Sequence, residues 1–248
     1  MVAACPGTPG ATYPRPVTST SDDAGRGLPG TLAAAVDHEL VIKKSRFLAH
    51  LAPARTVEEA DAVVARVRKE LWDARHHCVA LVVGTHADAQ RSSDDGEPSG
   101  TAGVPMLEVL RHRDVTDVVA VVSRYFGGVL LGAGGLVRAY SGAVSGALDA
   151  AAGGGLLLRR ARRTVVRLDV PHADAGRIEH LLRDWARAHD AVLEDVAYAE
   201  AARFTVLVPP GEVARLRADL AAASSGRLVP AAGEDRVVDL PAGPRPRG

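Results

Sequence analysis

A short apolar run, Val118-Val119-Ala120-Val121-Val122, is followed by Ser123-Arg124-Tyr125-Phe126. Five glycines then fall within nine residues: Gly127, Gly128, Gly132, Gly134 and Gly135. Beyond them Leu136, Tyr140, Ala143, Val144, Ala147, Leu148 and Ala151 recur at helical spacing. The pattern predicts a buried strand, a glycine-rich loop and a helix, in that order. This arrangement gathers free backbone N–H groups and the positive end of a helix dipole, which suits a phosphate-type anion. Arg124 and Arg138 would add bidentate charge. The glycines also fit a purely architectural reading, in which Gly142 and Gly146 let the helix approach a sheet closely. Gly132-Ala133-Gly134-Gly135 does not have the dinucleotide spacing, and no P-loop is present, so no cofactor is expected.

Upstream lies a polar run from Ser92 to Gly103, with Gly96, Pro98 and Gly100 inside it. Asp and Ser bond back to nearby amides and Gly admits positive φ, so this is a loop of several turns. Asp94, Asp95 and Glu97, with Ser99 and Thr101, make it the acidic turn. Three carboxylates so close together can hold a divalent cation or transfer protons. They can equally cap turns, and the absence of EF-hand spacing favours that reading, so no metal is expected. Pro105 sits well for the first turn of a following helix, Val104 to Leu110.

The acidic and basic residues balance at 30 each, so nucleic acid or membrane would have to be met by a local patch rather than by net charge. The hydrophobic fraction, 47%, is that of a globular chain, and 248 residues allow one large or two small domains. Cys5 and Cys78 are the only cysteines, which implies no disulfide framework and a reducing, cytoplasmic setting. No apolar run approaches the roughly 20 residues that span a bilayer, and the N-terminus has no signal-peptide pattern.

Residues 1–30, rich in Pro, Gly, Ser and Thr, read as a flexible tail in which Cys5 has no role. Glu39–Lys43 and Arg46–Leu51 read as strands joined by a turn at Lys44-Ser45. Thr56 with Glu59 three residues on is a capping box for a helix whose apolar face is Val57, Ala60, Val63, Val64, Val67 and Leu71. His77–Val83 is the next strand. His76 and Cys78 share one face of it, and His77 the other. These three are the only cluster of metal-type side chains, but too few ligands stand at a familiar zinc spacing. A Cys78–His76 nucleophile is the sharper alternative.

Gly153-Gly154-Gly155 ends the signature helix, and Leu156–Leu158 is a short strand. Arg159, Arg160, Arg162, Arg163 and Arg167 form the one basic run, expected at a solvated strand edge or against RNA phosphates. A βαββαβ series follows: strand Thr164–Val170, helix Ala173–Ala188, strands Ala191–Tyr198 and Ala201–Val208, a helix from Pro209-Pro210 to Leu220. A last strand at Arg227–Val229 or Arg236–Leu240 completes it. This is the split βαβ, ferredoxin-like plan. Residues 241–248 read as a tail.

The blocks DDGEPSGTAGVPML and VVSRYFGGVLLGAGGLVRAY, with KKSRFLAHL (Lys43 to Leu51) and ARHHC (Ala74 to Cys78), resemble the signature of the YigZ/IMPACT family over about residues 36 to 160. The resemblance implies an α+β chain of two domains. Residues 31–160 would form a domain like the ribosomal-protein-type fold of elongation factor G, and residues 161–240 a domain like that factor's ferredoxin-like ones. It also implies a connection with regulation of translation. In the eukaryotic members an additional RWD domain serves competition for the activator of a translational stress kinase. No such domain is read in this sequence, so the shared domain, and not that partner, is what carries over.

Three functional readings follow. The first is a non-enzymatic cytoplasmic protein that contacts RNA or the ribosome through Arg124, Tyr125, the glycines, Arg138 and the basic run. The second is an enzyme on a small phosphorylated or acyl substrate, with the glycine loop holding the anion and the acidic turn doing the chemistry. The third is a protein-interaction module in which the signature is structural.

Overall fold

The computed structural model describes residues 27–242, so Cys5 and most of the proposed N-terminal tail lie outside the described residues. The chain divides into two compact units, residues 35–147 and residues 28–34 with 148–242. In chain order, β1 is Leu28–Leu32, β2 Val36–Ile42, β3 Ser45–Pro53, α1 Val57–Glu70, β4 His76–Val83, β5 Ala89–Ser93, α2 Gly103–His112 and β6 Val118–Tyr125. They are followed by α3 Ala133–Gly153, β7 Leu157–Val170, α4 His172–Ala188, β8 Val192–Leu193, β9 Ala197–Tyr198, β10 Ala202–Val208, α5 Val213–Ser224 and β11 Ala231–Pro241.

The first unit is an antiparallel sheet in the order β2-β3-β6-β4-β5. Alternate residues sort to its two faces. Val79, Leu81 and Val83 of β4 and Val119 and Val121 of β6 pack with Ala60 and Val67 of α1. Thr56 Oγ1 accepts from the Glu59 amide at 3.1 Å, as the capping box requires. The Glu59 carboxylate reaches back one residue further than expected, to the Arg55 amide at 2.7 Å. On the other face Phe47, Cys78, Ala80, Ala120 and Val122 are fully or almost fully buried, and Phe47 meets Tyr140 of α3 edge-on at 5.1 Å. A Cβ on Gly146 would lie 2.3 Å from the His38 ring and one on Gly142 3.2 Å from Leu40, so these two glycines let α3 lie close on β2.

The β2–β3 turn sits one residue earlier than the sequence reading placed it. Lys43 and Lys44 both have positive φ, 46° and 66°, the conformation that a two-residue hairpin turn demands. β5 is a strand that the sequence reading lacks, and its last two residues, Ser92 and Ser93, fall in the stretch read as polar loop. Its polar side chains hide it, and backbone pairing with β4 makes it a strand.

In the second unit β7 pairs with β11 on one side and with β1 and β10 on the other. With β8 beyond β10, the order β11-β7-β10-β8 is the antiparallel ferredoxin-like sheet. Ile178, Leu182 and Trp185 of α4 and Leu216 and Leu220 of α5 cover Val166, Leu168, Phe204 and Val206. Five expectations change here. The strand read over Ala191–Tyr198 is two two-residue strands, β8 and β9. The strands read at Leu156–Leu158 and Thr164–Val170 merge into one, β7, which starts at Leu157. The last strand follows the second alternative, extended at both ends, so Pro241 is strand and not tail. β1 begins inside the stretch read as tail, because the first residues of β7 supply partners for its backbone and the Ala33 amide just after it donates to the Leu156 carbonyl at 2.8 Å. The basic run is also corrected: β7 is an interior strand, not an edge. Arg159 and Arg163 pair with Asp190, the latter at 2.6 Å, and Arg160 pairs with Asp239 at 2.8 Å. Arg162 and Arg167 are exposed. Three of the five arginines are thus paired with two carboxylates, Asp190 and Asp239.

Candidate functional site: the acidic turn and the cationic end of the first sheet

Antiparallel pairing sets one row across the first sheet, with Phe47, Arg124 and His76 side by side on β3, β6 and β4. Arg124 is buried, which an interior strand tolerates only with a partner. Its Nη1 donates to Glu97 Oε1 at 2.7 Å, and the Tyr140 hydroxyl donates to the same oxygen at 2.7 Å. The acidic turn and the strand–loop–helix signature, 27 and 43 residues apart along the chain, therefore meet in one buried cluster. Burial, with Cys78 and Glu97 close by, pushes the Tyr140 phenol far up, so it remains a donor.

The other two carboxylates of the turn are also committed. Asp94 Oδ1 accepts from the amides of Ala102 (3.0 Å) and Gly103 (2.8 Å), and Oδ2 from Gly100 (2.7 Å), which ties the turn to the start of α2. Asp95 Oδ2 accepts from the His77 amide at 2.6 Å and Oδ1 from Arg68 at 2.6 Å, which fixes the start of β4. Thr101 donates from Oγ1 to the Pro98 carbonyl at 2.6 Å, and Ser99 is exposed. Among the described residues no group of His, Cys, Asp and Glu could hold a metal ion. The three carboxylates of the turn are engaged with backbone amides, Arg68, Arg124 and Tyr140.

Partial burial pushes both aspartates up, and their hydrogen bonds outweigh it. For Asp94 these are the amides of Gly100, Gly103 and Ala102; for Asp95 they are the His77 amide and then Arg68. Both carboxyls end below the ordinary value. A carboxyl depressed in the folded state stabilises the fold above its unfolded pKa of about 3.9 and loses that contribution as pH falls through the folded value. Stability to urea is accordingly expected to hold from neutral pH to about 4 on account of these groups and to fall below it. Asp94→Asn should be less stable at pH 7 and show a shallower loss between about pH 4 and 2. An unchanged pH profile in that variant would remove Asp94 from this role.

The Cys78–His76 nucleophile is corrected. The Cys78 thiol is buried and donates to the Asp94 carbonyl at 3.0 Å, and burial pushes it up to about 12, so it stays protonated near neutrality. His76 Nδ1 bonds the Asp95 carbonyl at 2.8 Å instead of the thiol. His77, on the opposite face, bonds Ser123 Oγ at 2.8 Å and is held below its ordinary value by burial, with Arg68 adding to it.

Part of the glycine loop follows the architectural alternative. A Cβ on Gly127 would lie 2.1 Å from the Lys44 carbonyl carbon, so this glycine exists for a close approach of two backbones. Gly128 and Gly132 have φ of 85° and 70° and form the turns that lead into α3. Gly135 abuts Leu131, and Gly134 is open apart from Arg138 at 3.8 Å. Of the two arginines, Arg124 is tied to Glu97 and only Arg138 is exposed. Tyr125 is half-buried; its hydroxyl donates to Asp73 at 2.7 Å and Arg46 lies over its ring.

The register puts three connections at one end of this sheet: the Lys43-Lys44 turn before β3, the loop before β4, and the loop after β6. Exposed aromatic and aliphatic side chains crowd there. Trp72 is 80% exposed, Phe126 44% and Leu130 83%. Lys43, Lys44, Arg75 and Arg138 are exposed and, among the described residues, make no ion pair. Sequence reading missed Trp72, Arg75 and the two lysines. The only available signal was an unexplained tryptophan beside an arginine just ahead of His76.

The comparisons with known proteins agree with this division of the chain. The profile of the Impact N-terminal domain matches residues 43–148, and that of a domain of unknown function, DUF1949, matches residues 168–227. The chain is 42% identical over 182 residues to the IMPACT family member YvyE of Bacillus subtilis, covering 73% of this chain and 80% of that protein. It is 43% identical over 189 residues to the IMPACT family member YigZ of Escherichia coli, covering 75% and 89%. A match to Protein IMPACT of Bos taurus, 36% identical over 104 residues, covers 39% of this chain and 32% of that one. A solved crystal structure described as that of a hypothetical protein superposes with a TM-score of 0.51 at 40% identity, over 84% of this chain and 98% of that one.

Proposed function

Because this chain belongs to the IMPACT family, we propose that it is a non-enzymatic binding protein that contacts RNA, on the ribosome or free, and through that contact bears on translation. The observation that carries the reading is the meeting of exposed Trp72 and Phe126 with the unpaired Lys43, Lys44, Arg75 and Arg138 at one end of the first sheet. Cations that follow a phosphate chain, interleaved with aromatic rings on which bases stack, are the elements of a single-strand binding surface. The link to translation rests on the family resemblance. The enzyme reading is the second choice, since the carboxylates it would use are engaged in hydrogen bonds to amides and Arg124.

The test is a titration with a single-stranded RNA oligomer, followed by Trp72 fluorescence; the other tryptophan, Trp185, is buried. Four cations on a single strand predict a salt slope of about −3 in log–log form. Stacking is worth about 1–3 kcal/mol per base, so Phe126→Ala should weaken binding about tenfold. Salt-independent binding, or equal binding by the variant, contradicts the reading.

A further inference from the structure

Between the cationic rim and the buried Glu97–Arg124 pair lies a cavity of about 220 Å³, lined by Arg75, His76, Arg124, Phe126 and Leu130. We propose that this cavity is a pocket for a terminal phosphate monoester: the phosphorylated end of the strand bound on the rim, or the phosphate of a small ligand. The inference rests on the RNA reading for the first of these sources and not for the second.

Size is the first argument. Clefts for drug-sized ligands run about 300–1,000 Å³, so this cavity admits a group rather than a whole nucleotide. The second argument is the floor. Arg124 is 7% exposed, and its Nε has no hydrogen-bond partner. Glu97 offsets its charge but is met only through Nη1, and a guanidinium carries five N–H donors in a fixed fork. The Nε itself is closed to an oxygen-sized atom, so an oxyanion in the cavity would meet the guanidinium through the part of Arg124 that lines it. Phe47 and Phe126 lie 5.5 and 5.7 Å from the guanidinium carbon and hold it between them. Arg75, exposed and without an ion pair among the described residues, adds an unspent charge at the mouth.

Charge argues for a monoester rather than a diester. A terminal monoester carries about −1.5 to −2 at pH 7 and an internal diester about −1, and the larger charge suits a cavity lined by the two guanidinium groups of Arg75 and Arg124. An internal phosphate is also flanked by sugar on both sides, which hinders its entry.

The experiment compares one RNA oligomer with a 5′-phosphate, with a 3′-phosphate and with hydroxyls at both ends. Inorganic phosphate and a nucleoside 5′-monophosphate are titrated alongside. The proteins are the wild type, Arg75→Gln, and Arg124→Lys with its fold verified by circular dichroism and melting. One phosphorylated end should bind about tenfold more tightly than the hydroxyl-ended strand, inorganic phosphate should compete for that increment, and both variants should lose it. Strand binding blind to the ends, with no binding of inorganic phosphate or monophosphate, overturns the pocket and leaves the RNA surface standing. Phosphate or monophosphate binding that Arg75→Gln abolishes, without strand binding, upholds the pocket with a small ligand and removes the RNA reading. An end preference kept by both variants overturns the assignment to these residues, and no binding of any probe overturns pocket and surface together.

Discussion

Glu97→Ala is expected to cost about 3–5 kcal/mol of folding stability, because it leaves the buried Arg124 charge without its counter-ion. The Arg124 and Glu97 side chains are only 8% and 3% exposed, so water reaches the guanidinium only where it lines the cavity and does not replace the carboxylate. The same substitution removes the acceptor of the Tyr140 hydroxyl, which burial keeps protonated. Urea unfolding at pH 7 reads the loss. The double variant Glu97→Leu/Arg124→Met separates a stabilising pair from a positioning one. Replacing both charges with apolar groups should recover most of the loss, since the attraction within a buried pair is largely spent on desolvation. A Glu97→Ala loss below about 1 kcal/mol, the range of an exposed pair, would mean that the cluster opens to water.

Gly127→Ala is the second large effect. Its Cβ would lie 2.1 Å from the Lys44 carbonyl carbon and 2.3 Å from the Ser45 amide nitrogen, both backbone atoms of a tight hairpin. No side-chain rotation relieves that overlap, so a loss near or above the usual upper figure of about 3 kcal/mol for overpacking is expected. The neighbouring Gly128 is the control. A Cβ there meets open space, but φ is 85°, so Gly128→Ala should cost only about 1–2 kcal/mol for the left-handed backbone. Equal losses in the two variants would show that the Lys43-Lys44 turn yields, and that the rim is less fixed than its geometry implies.

What could be read from the sequence follows the range of the interactions. The α1 capping box, the β2–β3 hairpin and the β6–loop–α3 order rest on contacts within a few residues, and periodicity exposes them. The helices and β10 of the ferredoxin-like series were equally legible from their apolar patterns, but the strand read over Ala191–Tyr198 is broken into β8 and β9. β1 and β5 were not. Leu28-Pro29-Gly30-Thr31-Leu32 has the composition of a tail, and it becomes a strand only because β7, more than a hundred residues later, offers it backbone partners. β5 has no large apolar residue, and its strand character comes from β4.

The candidate site was half legible for the same reason. Its residues stood out as polar groups around glycines, but their roles depend on distant partners. Glu97 meets Arg124 across 27 positions, Arg163 meets Asp190 across 27, and Arg160 meets Asp239 across 79. Arg124, Arg159, Arg160 and Arg163, read as free cations, are paired, whereas Arg138 is exposed and unpaired as read; Lys43, Lys44 and Arg75 lie in turns with no pattern to mark them.

The most direct test of RNA contact in translation is sucrose-gradient co-sedimentation of the full chain with ribosomes from its own source, at low and moderate salt. A Lys43→Ala/Lys44→Ala/Trp72→Ala variant of verified fold runs beside the wild type. These three side chains are exposed and bear no load in the core. The account predicts that the wild type travels with a ribosomal particle at low salt and is released as salt rises, while the variant stays at the top. Wild type and variant sedimenting alike, whether both bound or both at the top at every salt, would contradict it.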